Sequence, residues 1–208
     1  MQKPTFVEYR ALVENAYPLE FHRARHYQTH EQWARFAGSG FRGSALQEYD
    51  PTLETLLQHR AFVILGEPGA GKSTAAHAAA RLAFERDWVP VVLALRSYGG
   101  KLSDLFPPLP PEFDATDRER LLILDGFDEV PATHLAQFID ELVETEQGDP
   151  QTRFLLTSRQ AFFVATDTPF SRKWPTFFID DLSSDDVDAF ILNRPGLESP
   201  DVVEIQSG

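Results

Sequence analysis

Cysteine is absent from the 208 residues, which excludes disulfide frameworks, thiol catalysis and cysteine-based metal sites, and fits any redox compartment. Basic residues are scarce: 19 Lys and Arg stand against 32 Asp and Glu, a formal charge of -13. The average field therefore repels phosphate backbones and anionic lipid, and direct, non-specific nucleic-acid binding is not expected. No stretch approaches the ~20 apolar residues of a membrane span, and the opening residues lack the apolar run of a signal peptide. No membrane association and a cytoplasmic location are the expectations. With 42% hydrophobic and 25% charged residues, the composition is that of a folded globular chain. A chain of this length folds as one α/β domain that buries roughly 70% of the surface its unfolded form exposes.

Residues 1–60 are rich in aromatic and charged side chains. Val7 to Ala16 and His30 to Ala37 have helical apolar spacing, and the glycines at 38, 40 and 43 mark a break. His22, His26 and His30 are spaced i, i+4, i+8, which would place them on one helix face, but nothing around them resembles a zinc signature.

From residue 61 short apolar runs alternate with helical segments, the pattern of βαβ units and a parallel sheet. Strands are expected at Ala61 to Leu65, Val89 to Leu95, Leu121 to Leu124, Arg153 to Thr157 and Thr176 to Ile179. Helices are expected at Lys72 to Arg86, Lys101 to Phe106, Ala132 to Glu146 and Asp185 to Leu192. Pro107 to Pro111 reads as an exposed, extended connection.

The segment Gly66-Glu-Pro-Gly-Ala-Gly-Lys-Ser-Thr74 fits G-x-x-x-x-G-K-[ST] and lies between an expected strand and an expected helix. Glycines let backbone amides approach phosphate oxygens, and the helix that follows points its positive end at the anion. Gly66, Glu67, Pro68, Gly69, Ala70, Gly71, Lys72, Ser73 and Thr74 are therefore the candidate phosphate-binding residues. Lys72 would sit near the β- and γ-phosphates and Ser73 would offer its hydroxyl to magnesium. This local positive potential answers the acidic global field. The implied ligand is ATP or GTP with Mg²⁺; no guanine-recognition motif is visible, so ATP is the default.

Leu121-Leu-Ile-Leu-Asp-Gly-Phe-Asp-Glu129 places a carboxylate directly after an apolar strand, at the sheet edge where the cradle lies. Asp125 is the magnesium-side acid, while Asp128 and Glu129 can polarise an attacking water. Alone, a strand-end acid is more often a solvated loop residue; the cradle upstream makes it specific. Arg159 ends the fourth strand at the same edge, where it either reaches a γ-phosphate or makes a surface ion pair.

The Gly66–Thr74 cradle, the Asp-Gly-Phe-Asp-Glu string and the Phe-Leu-Leu-Thr-Ser-Arg strand together resemble the NACHT branch of the STAND signal-transduction NTPases. The runs Val89 to Arg96 and Phe178 to Phe190 resemble further parts of that family. The likeness covers roughly residues 45 to 194. It implies an α/β three-layer sandwich of the P-loop NTPase kind with a parallel sheet in the order 5-1-4-3-2, preceded by a small helical segment. The expected division is a helical N-terminal segment at 1–44, a nucleotide-binding core at 45–182, and the start of a helical subdomain and tail at 183–208. The resemblance also implies a slow nucleoside triphosphatase whose nucleotide state controls self-association, and, for prokaryotic members, a role in defence against phage. Carried over by position, Lys72 and Ser73 bind phosphate and magnesium, Asp125 supports the ion, Asp128 and Glu129 serve hydrolysis, and Arg159 is the sensor-one arginine. The family's winged-helix and sensor domains have no counterpart here, so the chain is expected to be the nucleotide-binding domain alone.

Three other readings stand beside this one. A nucleotide-dependent switch that never turns over keeps the binding and loses the chemistry. A small-molecule P-loop kinase needs an arginine-bearing lid, and Ser97 to Pro111 is proline-rich with one lysine. An AAA+ motor needs an arginine finger, for which Arg118 or Arg172 are the candidates. Tyr49, Asp50 and Pro51 could pack on a base, although aromatics of this kind more often serve a core.

Overall fold

The computed structural model describes residues 4–14, 27–29, 51–111 and 118–179. In chain order these form α1 (Phe6–Glu14), β1 (Tyr27–Thr29), α2 (Leu53–Leu56), β2 (Ala61–Leu65), α3 (Lys72–Glu85) and β3 (Val89–Ala94). After them come β4 (Arg120–Asp125), α4 (Leu135–Gly148), β5 (Thr152–Ser158), α5 (Gln160–Ala165) and β6 (Thr176–Ile179). Short 3₁₀ turns lie at Leu95–Ser97, Leu102–Leu105, Phe127–Glu129, Ala132–His134 and Phe170–Arg172.

The strands pair in one six-stranded sheet of order β1-β6-β2-β5-β4-β3. The expected order 5-1-4-3-2 is therefore not matched as stated, because the sheet is mixed and has one strand more. Counted from residue 61, the five parallel strands stand in the expected sequence. The sixth, β1, adds antiparallel at the edge, with Tyr27 opposite Ile179 and Thr29 opposite Phe177. The backbone at Tyr27–Thr29 is an extended strand. His22, His26 and His30, the expected helices at 30–37 and 185–192, and Tyr49 and Asp50 lie outside the described residues. The Pro51 carbonyl accepts the Tyr27 N–H at 3.0 Å, tying this proline to β1.

Side chains on a strand alternate between faces, and this alternation divides the interior into two layers. Val63, Leu65, Leu122, Leu124, Phe154 and Leu156 face a layer that also contains Phe138 and Leu142 of α4. Spaced i, i+4, those two present one stripe of α4 to the sheet. Phe62, Ile64, Leu121, Ile123 and Leu155 face the other layer, where α3 contributes Ala75, Ala76, Ala78, Ala79, Ala80 and Ala83. Methyl side chains let α3 lie close against the strands and cost little rotamer entropy. Beyond Arg86, Asp87 adopts a left-handed φ of 60° and the Trp88 N–H returns to the Ala83 carbonyl at 3.0 Å, a Schellman-type stop.

Helix α1 packs on the far end of α3: Phe6 and Tyr9 meet Phe84 edge-on, and the Tyr9 hydroxyl donates to the Pro90 carbonyl at 2.9 Å. Burial pushes the Tyr9 hydroxyl up to about 12. The proline connection departs from expectation, because Leu109 and Pro110 are buried and Leu109 joins the α4-side core. Among the described residues no helix is long and apolar enough to cross a membrane.

Candidate nucleotide site

The parallel register sets the site. Leu65 stands level with Ser158 and Leu124 with Leu156, so the loops after β2, β4 and β5 leave one sheet edge together. The Gly66 N–H reaches the Ser158 carbonyl at 3.3 Å, tying the start of the cradle to β5. A Cβ on Gly66 would lie 2.3 Å from Ile179 Cγ2, so only glycine lets the loop leave β2 beside β6. Gly69 and Gly71 hold φ of 83° and 88°, the left-handed conformation that the cradle's turn into α3 requires.

Glu67, Pro68, Gly69 and Ser73 are exposed, Ala70 is buried, and Gly71, Lys72 and Thr74 are half-buried. Lys72 Nζ donates to the carbonyls of Gly66 and Glu67 at 2.9 and 3.0 Å, folding back over its own loop. Burial pulls the Lys72 ammonium down from its ordinary value; Asp128 opposes that shift, Arg159 adds to it, and Asp125 and Glu67 oppose it. Those four residues therefore share one electrostatic site with the lysine.

Asp125 ends β4 level with Thr157. The buried Thr157 hydroxyl donates to Asp125 Oδ1 at 2.6 Å and accepts the Gly126 N–H at 2.8 Å. One hydroxyl thus sets the carboxylate's rotamer and the turn behind it. Gly126 has a φ of 87°, and a Cβ there would stand 3.2 Å from Glu129 Cδ and Oε2, so the glycine makes room for the Glu129 side chain. Phe127 is fully buried among Phe138, Phe162, Phe163 and Phe170 and pins the turn to the core.

Asp128 and Glu129 follow in the 3₁₀ turn with different surroundings. Glu129 is exposed. The Asp128 side chain is 6% exposed, accepts the Arg159 backbone N–H on Oδ1 at 2.9 Å and lies in an ion pair with Arg159, Nε to Oδ2 at 2.8 Å. Arg159 therefore lies at the same edge, in an ion pair with a second candidate site residue. The structure thus brings Lys72, Ser73, Asp125, Asp128, Glu129 and Arg159 to one edge. Arg118 and Arg172 lie elsewhere, before β4 and β6: the first pairs with Asp87 and sits over the Phe6 ring, the second pairs with Asp167 at 2.5 Å.

Two residues at the site escaped the sequence reading. Thr157 carries a signal in hindsight, a hydroxyl at a fully buried strand position. His77 lies one turn beyond Ser73 on α3; burial lowers its pKa and Asp125 partly counters the shift. Alternation alone does not reveal a half-buried histidine on an alanine-rich helix.

Among the described residues no group of three or more His, Asp or Glu could hold a metal by itself. The donors near the cradle, one serine hydroxyl and one carboxylate, suit a hard cation that completes its shell with phosphate oxygens and water.

A mostly parallel sheet with a glycine cradle between β2 and α3, and an acid at the end of the nearby strand β4, defines an α/β domain of the P-loop type. No family model matches the chain, and no curated protein matches it. Among solved structures, Cdc6p from Pyrobaculum aerophilum is 17% identical with a TM-score of 0.44, covering 64% of this chain and 42% of that one. PCH-2 from C. elegans is 14% identical with a TM-score of 0.46, covering 64% and 38%. Rif2 from Saccharomyces cerevisiae is 10% identical with a TM-score of 0.43, covering 90% and 69%. The chain thus spans less than half the length of the first two.

Proposed function

We propose that this domain binds ATP (or GTP) with magnesium, hydrolyses it slowly, and uses the nucleotide state to control self-association as part of a NACHT-type signalling NTPase. The observation that supports this reading is the convergence of Lys72, Ser73 and a Thr157-oriented Asp125 at one sheet edge. Lys72 exchanges its loop carbonyls for phosphate oxygens. Ser73 and Asp125 would hold a magnesium ion, whose charge would offset that of the β- and γ-phosphates. Glu129 accepts a proton from water as the water oxygen attacks the γ-phosphorus. The bond to the β-bridging oxygen then breaks, leaving a nucleoside diphosphate and inorganic phosphate. The defence role, the cytoplasmic location and the assembly partner rest on the sequence resemblance and composition.

Binding of ATP, GTP and their diphosphates, followed by calorimetry alongside mass in solution, tests the proposal. Lys72→Ala is expected to weaken binding on the order of a hundredfold. Glu129→Gln is expected to keep binding and lower turnover by about 10²- to 10⁴-fold. Tight binding without turnover in the unsubstituted protein would favour the non-hydrolysing switch, and affinity indifferent to Lys72 would sink the nucleotide reading.

A further inference from the structure

The doubled acid after β4 offers two carboxylates for one proton transfer, and the structure treats them differently. Glu129 is exposed, folded back beside Gly126. Asp128 is nearly buried, and both of its oxygens are engaged by one residue: Oδ1 by the Arg159 backbone N–H, Oδ2 by Arg159 Nε. A general base needs an open lone pair within reach of water. A nearly buried carboxylate that accepts an amide on one oxygen and is ion-paired through the other is a poor one.

The same bonds have a consequence for the arginine. Anchoring backbone and side chain to one carboxylate closes a ring that restricts the Arg159 side-chain torsions. The Arg159 side chain remains 54% exposed, and the pair with Asp128 runs through Nε. Phe127, buried next to Asp128, fixes the turn from which the carboxylate reaches across to β5.

We infer that Asp128 is a positioning residue: it orients Arg159 so that the terminal guanidinium nitrogens meet a γ-phosphate, and discrimination of triphosphate from diphosphate runs through this pair while Glu129 alone serves as base. The inference rests on the nucleotide-binding reading above. An isolated arginine at a strand end would lose rotamer entropy on meeting phosphate; here that cost is met in advance by the carboxylate.

The test is the ratio of ATP to ADP affinity, with magnesium, for the full chain and for Asp128→Asn, Arg159→Ala and the double variant, with Glu129→Gln as the comparison for turnover. Asp128→Asn preserves volume and leaves one oxygen for the Arg159 amide, but sets an NH₂ group against Nε. The expected result is about a tenfold loss of ATP affinity in each single variant, with ADP affinity unchanged and no further loss in the double variant. ATP affinity at the unsubstituted level in Asp128→Asn, with turnover as low as in Glu129→Gln, makes Asp128 the base and overturns the inference. So do losses that multiply in the double variant. Should Asp128→Asn not fold, Arg159→Lys decides: it keeps the charge and lacks the Nε fork, so retained ATP preference overturns the inference and lost preference supports it. Unsubstituted protein that binds neither nucleotide sinks the underlying reading, whereas Lys72-dependent binding with a preference indifferent to Asp128 sinks this inference alone.

Discussion

At the amino edge of the sheet, Asp149 accepts the Thr152 hydroxyl at 2.6 Å and the Gln151 N–H at 3.0 Å, with Arg120 at 3.5 Å. Arg60 donates to the carbonyls of Glu146 and Asp149 at 2.8 and 3.0 Å, and Arg153 pairs with Glu119 while lying 4.4 Å over the Trp88 ring. At the carboxyl edge the same residue types behave differently. Ser73 and Glu129 are exposed, Lys72 rests on its own loop, and Arg159 keeps half of its surface in solvent. At the amino edge Asp149 meets two partners within three residues of it, and Arg60, Arg120 and Arg153 each find an oxygen partner remote in sequence. At the carboxyl edge the groups come from the ends of three different strands; Asp125 and Asp128 are engaged by protein partners, while Ser73 and Glu129 are exposed. Polar residues at the first edge are mostly spent on one another, and those at the second leave Ser73 and Glu129 exposed to solvent.

The comparison can be broken at either edge. The largest structural effect is expected from Gly66→Ala, whose new Cβ would collide with buried Ile179 Cγ2. Overpacking of this kind costs about 1–3 kcal/mol, and here it would also displace the cradle. Thermal unfolding should report the lower stability and calorimetry the lost nucleotide affinity. Asp149→Ala should cost about 1–2 kcal/mol, since the Thr152 hydroxyl and the Gln151 amide lose their acceptor. Nucleotide affinity should stay unchanged; a parallel loss would mean that the edges are coupled and the division is wrong.

Acid titration of stability in the nucleotide-free protein sharpens the contrast with a smaller effect. Burial lowers the His77 pKa, so the folded state favours the neutral ring. Its contribution is fully present above the unfolded value of about 6.5 and is lost as pH falls through the folded value. For Asp149, burial resists ionisation, but the Thr152 hydroxyl, the Gln151 amide and Arg120 outweigh it and hold the carboxyl below its usual range. That contribution is complete above about pH 3.9 and disappears at lower pH. Unfolding measured from pH 7 to 3 should therefore show a first slope that His77→Leu removes and a later one that Asp149→Ala removes.

Much of the site was legible because its signals are local. Gly66 to Thr74 carries its spacing within one turn of chain, and Ala61–Leu65 and Thr176–Ile179 match the expected strands to the residue. The helix expected over Lys101 to Phe106 shrank to a 3₁₀ turn at Leu102–Leu105, where the Leu102 N–H is taken by the Glu141 carboxylate of α4. Strand β1 was missed because three residues carry too short a pattern to read, and its partner β6 is remote in sequence. Leu109 and Pro110 read as exposed because proline spacing describes the backbone and says nothing of what packs on it.

Arg159 shows the boundary well. Its place at the end of an apolar strand follows from the sequence, but the choice between free sensor and ion pair depended on Asp128 reaching across from β4. The sequence by itself determined the cradle, the acids and the alternation of strand and helix, because turn chemistry and hydrophobic period act over a few residues. The tertiary structure alone decided that Asp125 is set by Thr157, that Asp128 holds Arg159, and that Glu129 stays open. Those pairings follow from register between strands remote in sequence, and register is fixed by packing across the whole sheet rather than by any short stretch of chain.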